Sequence, residues 1–259
     1  MKRTLVTLGL LLLPIVARAQ EAPKPQMFLV HEELARPSMI PQYESALRDI
    51  LAALTEKKAD PAVFGMRLYM TPEFRYLYIV PIANYGALDR FNGAWKDIGD
   101  AVGKPRWQQL MDRSSAAMES FNEIVVMRRP ELSYMPATPR VKDEEEKYVR
   151  MEFYYLIPGK EQEAEEVARA YAATFRQKNI NDGFTVFTAL SGTGLPLLIV
   201  TSGGKSAADY AMEDERVGAA AGAELAALRM RAAACTRRYE VREAMPRPEV
   251  SYPMQVATK

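Results

Sequence analysis

Arg129-Pro130-Glu131-Leu132-Ser133-Tyr134 recurs as Arg247-Pro248-Glu249-Val250-Ser251-Tyr252, 118 positions later, and each copy is followed closely by a proline. A phrase repeated at that distance in a 259-residue chain points to a duplicated unit. Working backward from each copy, the same order of elements appears twice. Tyr43, Ala46, Leu47, Ile50, Leu51 and Leu54 fall on one face of a helix, and Ala164, Val167, Ala168, Tyr171, Ala172 and Phe175 repeat that spacing 121 positions on. Phe64 to Met70 alternates, turns at Thr71-Pro72-Glu73 and returns as Arg75 to Val80, which reads as a β-hairpin. Its echo is Phe184 to Leu190, the Ser191-Gly192-Thr193-Gly194 turn, and Leu195 to Thr201.

With outer strands at Met27–Leu34, Phe121–Met127, Tyr148–Leu156 and Arg237–Glu243, each unit reads strand, helix, strand, strand, helix, strand. That predicts an α+β chain of two tandem ferredoxin-like βαββαβ repeats. Residues 20–136 form the first repeat, 137–147 a proline-containing, charged linker, and 148–259 the second repeat with its C-terminal tail. Residues 1–19 read as a signal peptide: Lys2 and Arg3, an apolar run from Leu5 to Val16, then Ala17-Arg18-Ala19. The expected location is periplasmic or secreted, with no membrane association after cleavage.

Each four-stranded sheet has a face that its helices do not cover. Alternation places Phe28, Val30, Met66, Leu68, Leu77, Ile79, Val149, Met151 and Phe153 beneath the helices. The opposite face then carries His31, Glu33, Arg67, Tyr69, Tyr76, Tyr78, Arg150, Glu152 and Tyr154, with Phe187, Leu198 and Val200. Such a face is too apolar to leave in water, so the two sheets are expected to pack face to face as an intramolecular pseudo-twofold barrel. Its charged members would be held in pairs. Each Arg-Pro-Glu-x-Ser-Tyr tail is expected to strap down its own repeat.

Duplicated βαββαβ units with a half-polar sheet face resemble the dimeric α/β-barrel superfamily in its fused, two-repeat form. The superfamily includes cofactor-free monooxygenases, small isomerases and haem-handling enzymes. The resemblance implies a ligand cavity between sheet and helices or between sheets.

Composition narrows the function. Lys and Arg total 34 against 33 Asp and Glu, so no strong field exists for nucleic acid. One histidine excludes a multi-histidine metal site, and one cysteine, Cys235, excludes an intrachain disulfide. No metal and no cofactor are expected; haem would need His31, which sits on a first strand and has no counterpart in the second repeat. The leading expectation is an exported protein that handles a small apolar or aromatic ligand in a cavity near the first-repeat sheet. Glu33, Tyr69, Tyr76, Tyr78, Arg150, Glu152 and Tyr154 are the expected ligand-binding residues. One alternative is a cofactor-independent monooxygenase or isomerase with His31 as base and Arg67 stabilising an oxyanion. Another is a non-catalytic structural or interaction module. Homo-oligomerisation stays open.

Overall fold

Two hydrogen-bonded seams decide the architecture. The computed structural model describes residues 26–254, so the signal-peptide expectation for 1–19 lies outside the described residues. The strands are β1 (Gln26–Ala35), β2 (Arg67–Met70), β3 (Arg75–Ile82), β4 (Met118–Arg128), β5 (Tyr148–Leu156), β6 (Thr185–Ser191), β7 (Leu197–Gly204) and β8 (Thr236–Pro246). They join in the order β1-β3-β2-β8-β5-β7-β6-β4 as a closed barrel whose neighbours are all antiparallel. One seam pairs β2 with β8 through Tyr69 opposite Pro246 and Met70 opposite Met245. The other pairs β4 with β6 from Val125 opposite Ser191 to Arg128 opposite Phe187.

This overturns the expected pair of ferredoxin-like repeats packed sheet to sheet. The described residues form one eight-stranded closed sheet with six α-helices, not two sheets in contact. The physical reason is the edges. Two separate four-stranded sheets would leave four rows of unpaired backbone N–H and C=O groups, and closure abolishes them.

Closure also corrects the assignment of faces. Phe28, Val30, Leu77, Ile79, Val149, Met151 and Phe153 fill the lumen, joined there by Ile124, Val126, Tyr155, Leu197 and Ile199. His31, Glu33, Tyr76, Tyr78, Arg150, Glu152 and Tyr154 lie on the outer face instead; register pairs His31 with Tyr78, and Glu152 with Val200. The β2 assignment stands, with Leu68 beneath the helices and Arg67 and Tyr69 on the inner-face parity, and so does Phe187 on β6, which packs into the lumen. Both faces of these strands are apolar, one against the lumen and one against helices, so alternation marks the two faces without saying which is inside. The lumen also holds Glu32, which accepts hydrogen bonds from Arg75 and, at 2.6 Å, from Arg242 Nη1, an ion pair across the two halves of the chain.

The helices coat the outside. Over the first half lie α1 (Ile40–Glu56), α2 (Pro61–Phe64), α3 (Gly86–Val102) and α4 (Lys104–Ala117); over the second lie α5 (Glu161–Gln177) and α6 (Ala207–Cys235). α1 buries Tyr43, Ala46, Leu47, Ile50, Leu51 and Leu54, the face that its spacing predicts. Among the described residues no helix is long and apolar enough to cross a membrane.

The repeated tails are straps, but each holds the opposite half. Ser133 Oγ accepts from Val186 N at 2.9 Å, Arg129 pairs with Glu165 at 2.8 Å, and the Tyr134 hydroxyl donates to Ile180 O at 2.9 Å. Reciprocally, Ser251 Oγ accepts from Leu68 N at 3.0 Å, Arg247 pairs with Glu44 at 2.9 Å, and the Tyr252 hydroxyl donates to Ala59 O at 3.0 Å. The exchange follows from the seams. β4 and β8 end alongside β6 and β2, so whatever follows them lands on the other half.

Candidate functional site: a cavity beneath the second-half helices

The expected ligand-binding residues divide into two outer-face groups and one lumen group. In the first half, His31 Nδ1 lies 2.8 Å from Glu123 Oε1, and its Nε2 lies 3.0 Å from Glu33 Oε1. Glu33 also accepts from the hydroxyls of Tyr43 and, at 3.1 Å, Tyr78. Tyr76 donates to Glu44 at 3.0 Å. Burial by itself would lower the His31 pKa, but the two carboxylates outweigh it and hold the imidazole above its ordinary value. Glu33 is held below the usual carboxylate range: burial opposes this, and the bonds from His31, Tyr43 and Tyr78 prevail. With both ring nitrogens engaged by carboxylates, His31 is arranged as a buttressed cation rather than a free base.

Arg67 and Tyr69 sit apart from this group. Arg67 Nη2 reaches Asp143 at 3.1 Å, and Tyr69 packs into the lumen. Arg67 is therefore separated by the sheet from His31.

The second half differs. Between β5–β8 and the helices α5 and α6 lies a cavity of about 860 Å³, within the range of small-molecule sites. The register explains its position. His31 pairs with Tyr78, and Glu33 with Tyr76, across β1 and β3; across β5 and β7 the matching pairs are Glu152 with Val200 and Tyr154 with Leu198. Tyr43 on α1 corresponds by spacing to Ala164 on α5. Three tyrosines that fill the first half are thus replaced by alanine, leucine and valine in the second. The expected cavity near the first-half sheet is therefore displaced to the other half.

Sealed and dry, 860 Å³ would cost on the order of 20 kcal/mol at about 24 cal/mol per Å³, above the usual net stability of a domain. The space is instead open to solvent on one side and lined in part by polar groups that water can satisfy. Helix α6 above it is alanine-rich and departs from helical geometry at Ala221 (φ −139°, ψ 16°), beside Gly222.

Arg150, Glu152 and Tyr154 line this cavity together. Arg150 Nε donates to Glu152 Oε1 at 2.9 Å, and the Tyr154 hydroxyl donates to Glu152 Oε2 at 2.6 Å. Burial and then the Glu152 charge push the Tyr154 phenol far up. Burial opposes the Arg150 cation, yet Glu152 raises its pKa overall. Sequence reasoning missed Tyr171, Tyr210, Tyr239 and Arg229 in the same wall. It also missed Arg140, whose Nη1 donates to Asp209 Oδ2 at 2.7 Å while Nη2 lies 3.6 Å from Asp182. Asp182 lines the cavity, and burial lifts its carboxyl to about 6. The signal that would have found the cavity was present: the aligned tyrosine-to-small exchanges at Ala164, Leu198 and Val200. Among the described residues no group of three or more His, Cys, Asp or Glu is placed to hold a metal ion.

No family model and no curated protein matches this sequence. Solved structures do resemble it. An anthrone oxidase-like protein superposes with a TM-score of 0.56 at 9% identity, over 87% of this chain and 93% of that one. A provisionally assigned monooxygenase from Lactobacillus acidophilus gives 0.52 at 10% identity, over 90% and 97%. Another from Fusobacterium nucleatum gives 0.51 at 12% identity, over 86% and 92%. At these identities the likeness is one of fold alone.

Proposed function

We propose that this protein takes up a small, largely apolar aromatic molecule in the cavity beneath α5 and α6. The observation that carries this reading is the exchange of the Tyr43, Tyr76 and Tyr78 positions for Ala164, Leu198 and Val200, which empties under one pair of helices what is filled under the other. Apolar walls supply most of the affinity, and hydroxyls and charges at a few points set orientation.

The test is titration with N-phenyl-1-naphthylamine, a neutral aromatic fluorophore. Native protein is expected to enhance its emission saturably, and Val200→Tyr to weaken binding at least tenfold. Equal binding by the filled variant would remove the cavity from the account.

A second reading, conversion of the bound molecule, is favoured by one feature. Glu152 is a carboxylate that lines the cavity and already accepts from the Tyr154 phenol at 2.6 Å, so a phenolic guest could hand it a proton. The oxidase-like and monooxygenase descriptions of the fold relatives point the same way. Under this reading Glu152→Gln abolishes turnover while fluorophore affinity stays within twofold. Export is part of the proposal on the pattern of residues 1–19 alone; the protein recovered from its native fraction is expected to begin at Gln20.

A further inference from the structure

The cavity walls carry an unbalanced charge. Five carboxylates line it: Glu152, Asp182, Asp214, Glu215 and Glu243. Two guanidiniums, Arg150 and Arg229, face them. Five against two leaves an excess of carboxylate, carried at the exposed mouth by Asp214, Glu215 and Glu243, while Asp182 faces Arg140 at 3.6 Å; both lining arginines are already engaged. Arg150 bonds to Glu152 at 2.9 Å with Glu243 3.7 Å away, and Arg229 lies 3.8 Å from Asp214. An anionic guest would meet repulsion and find no free cation to offset it.

The same walls are aromatic. Tyr148, Tyr154, Tyr171, Tyr210 and Tyr239 line the cavity with Phe175. They stand in pairs: Tyr154 and Tyr239 have centroids 5.0 Å apart, Tyr148 and Tyr210 5.4 Å, and Tyr171 and Phe175 5.9 Å. Aromatic faces carry negative potential, and several rings around one space attract a cation with a weakly hydrated surface. The site already holds one cation in this way, since the Arg150 guanidinium lies 5.9 Å from the Tyr210 ring centre.

We propose that the guest of this cavity is cationic: a quaternary or protonated amine on an apolar, aromatic body. The inference rests on the cavity reading above and adds the sign of the guest's charge. Ionisation of the walls agrees. Burial would lower the Arg150 pKa, yet it is raised; that of Arg229 is raised too, first by Tyr171 and against burial. Among the tyrosines, burial raises Tyr171, Tyr210 and Tyr239, and the Glu152 charge adds to each.

Phenyltrimethylammonium and tert-butylbenzene have the same shape and differ by one charge, which makes them the probes of choice. Each is titrated against full-length protein loaded with N-phenyl-1-naphthylamine, with benzenesulfonate as the anionic control. Phenyltrimethylammonium is expected to displace the fluorophore at a tenfold lower concentration than tert-butylbenzene, and benzenesulfonate not at all. Raising NaCl from 50 to 500 mM should erode only the cation's advantage. The preference should shrink several-fold in Glu152→Gln. It should also shrink in the double variant Asp214→Asn/Glu243→Gln, whose half-exposed sites tolerate change even where Glu152→Gln does not fold. Equal or tighter displacement by tert-butylbenzene, or any by benzenesulfonate, overturns the cationic assignment and leaves the cavity reading intact. No fluorophore binding by native protein overturns both.

Discussion

Beneath α1 the molecule is solid, and beneath α5 it is hollow. The two regions hang from strands in matching register, receive matching straps and present matching helix faces. They differ at a few large positions. Tyr43 and Tyr76 are fully buried, Tyr78 nearly so, and the hydroxyls of Tyr43 and Tyr78 meet on Glu33. At the corresponding places stand Ala164, Leu198 and Val200, and the Arg150–Glu152–Tyr154 chain faces open volume. The lesson is that a backbone of this kind tolerates either content. Side-chain volume at these positions, together with the Phe64, Phe91 and Trp95 rings that pack over the first half and Ala211 and Glu215 in the second-half wall, separates core from pocket.

The contrast can be broken from the solid side. Tyr43→Ala removes a fully buried ring whose site cannot collapse, and about 3–5 kcal/mol of stability should go with it, seen as a lower denaturation midpoint at unchanged slope. A loss under 1 kcal/mol would mean that the first half is no better packed than the second.

A second, smaller effect separates the halves by pH. Asp182 has its pKa raised to about 6 from an ordinary 3.8, so the folded state binds its proton more tightly than the unfolded chain. Its contribution is fully present below pH 3.8 and lost as pH rises to about 6, on the order of 2–3 kcal/mol. Asp182→Asn should flatten that part of the stability profile. His31 is also raised, so its contribution is present below pH 6.5 and lost only as pH climbs through its folded value. His31→Gln should therefore destabilise most below pH 6.5 and flatten the profile only above it, a range in which Asp182→Asn changes no slope.

Filling the hollow side should cost little. Val200→Tyr restores the first-half residue and is expected to change stability by less than about 1.5 kcal/mol while reducing fluorophore affinity tenfold. A large destabilisation would show that the wall has already closed around other contacts.

The least effect is expected from Gly218→Ala on α6. An added Cβ there meets no atom within 4 Å, and the change should stabilise by about 0.5–1 kcal/mol. A gain in stability with weaker fluorophore binding would show that the helix above the cavity must flex to admit a guest.

Much of the secondary structure was legible because its signals are local. The faces of α1 and α5 follow from spacing, and the hairpin at Thr71-Pro72-Glu73 follows from its turn and alternation. The residues expected to bind a ligand were legible only as groups that meet. Arg150, Glu152 and Tyr154 do come together, and His31, Glu33, Tyr76 and Tyr78 do too, but in separate places on the outer face. Arg67 and Tyr69 belong to the other side of the sheet. Tyr171 was visible as a helix-face residue; that it borders a cavity depends on Val200 and Ala164 being small across the gap.

The amino-acid order alone determined where most strands and helices lie and which side chains share a face, because period and turn chemistry act over a few residues; the short helix α2 and the break between α3 and α4 at Gly103 were not read from it. Three things were left to the tertiary structure: closure of the edges into one barrel, which face became the lumen, and the crossing of each strap to the opposite half. All three depend on backbone groups seeking partners tens to nearly two hundred residues away, and the apolar character of both strand faces left no local mark to choose between them.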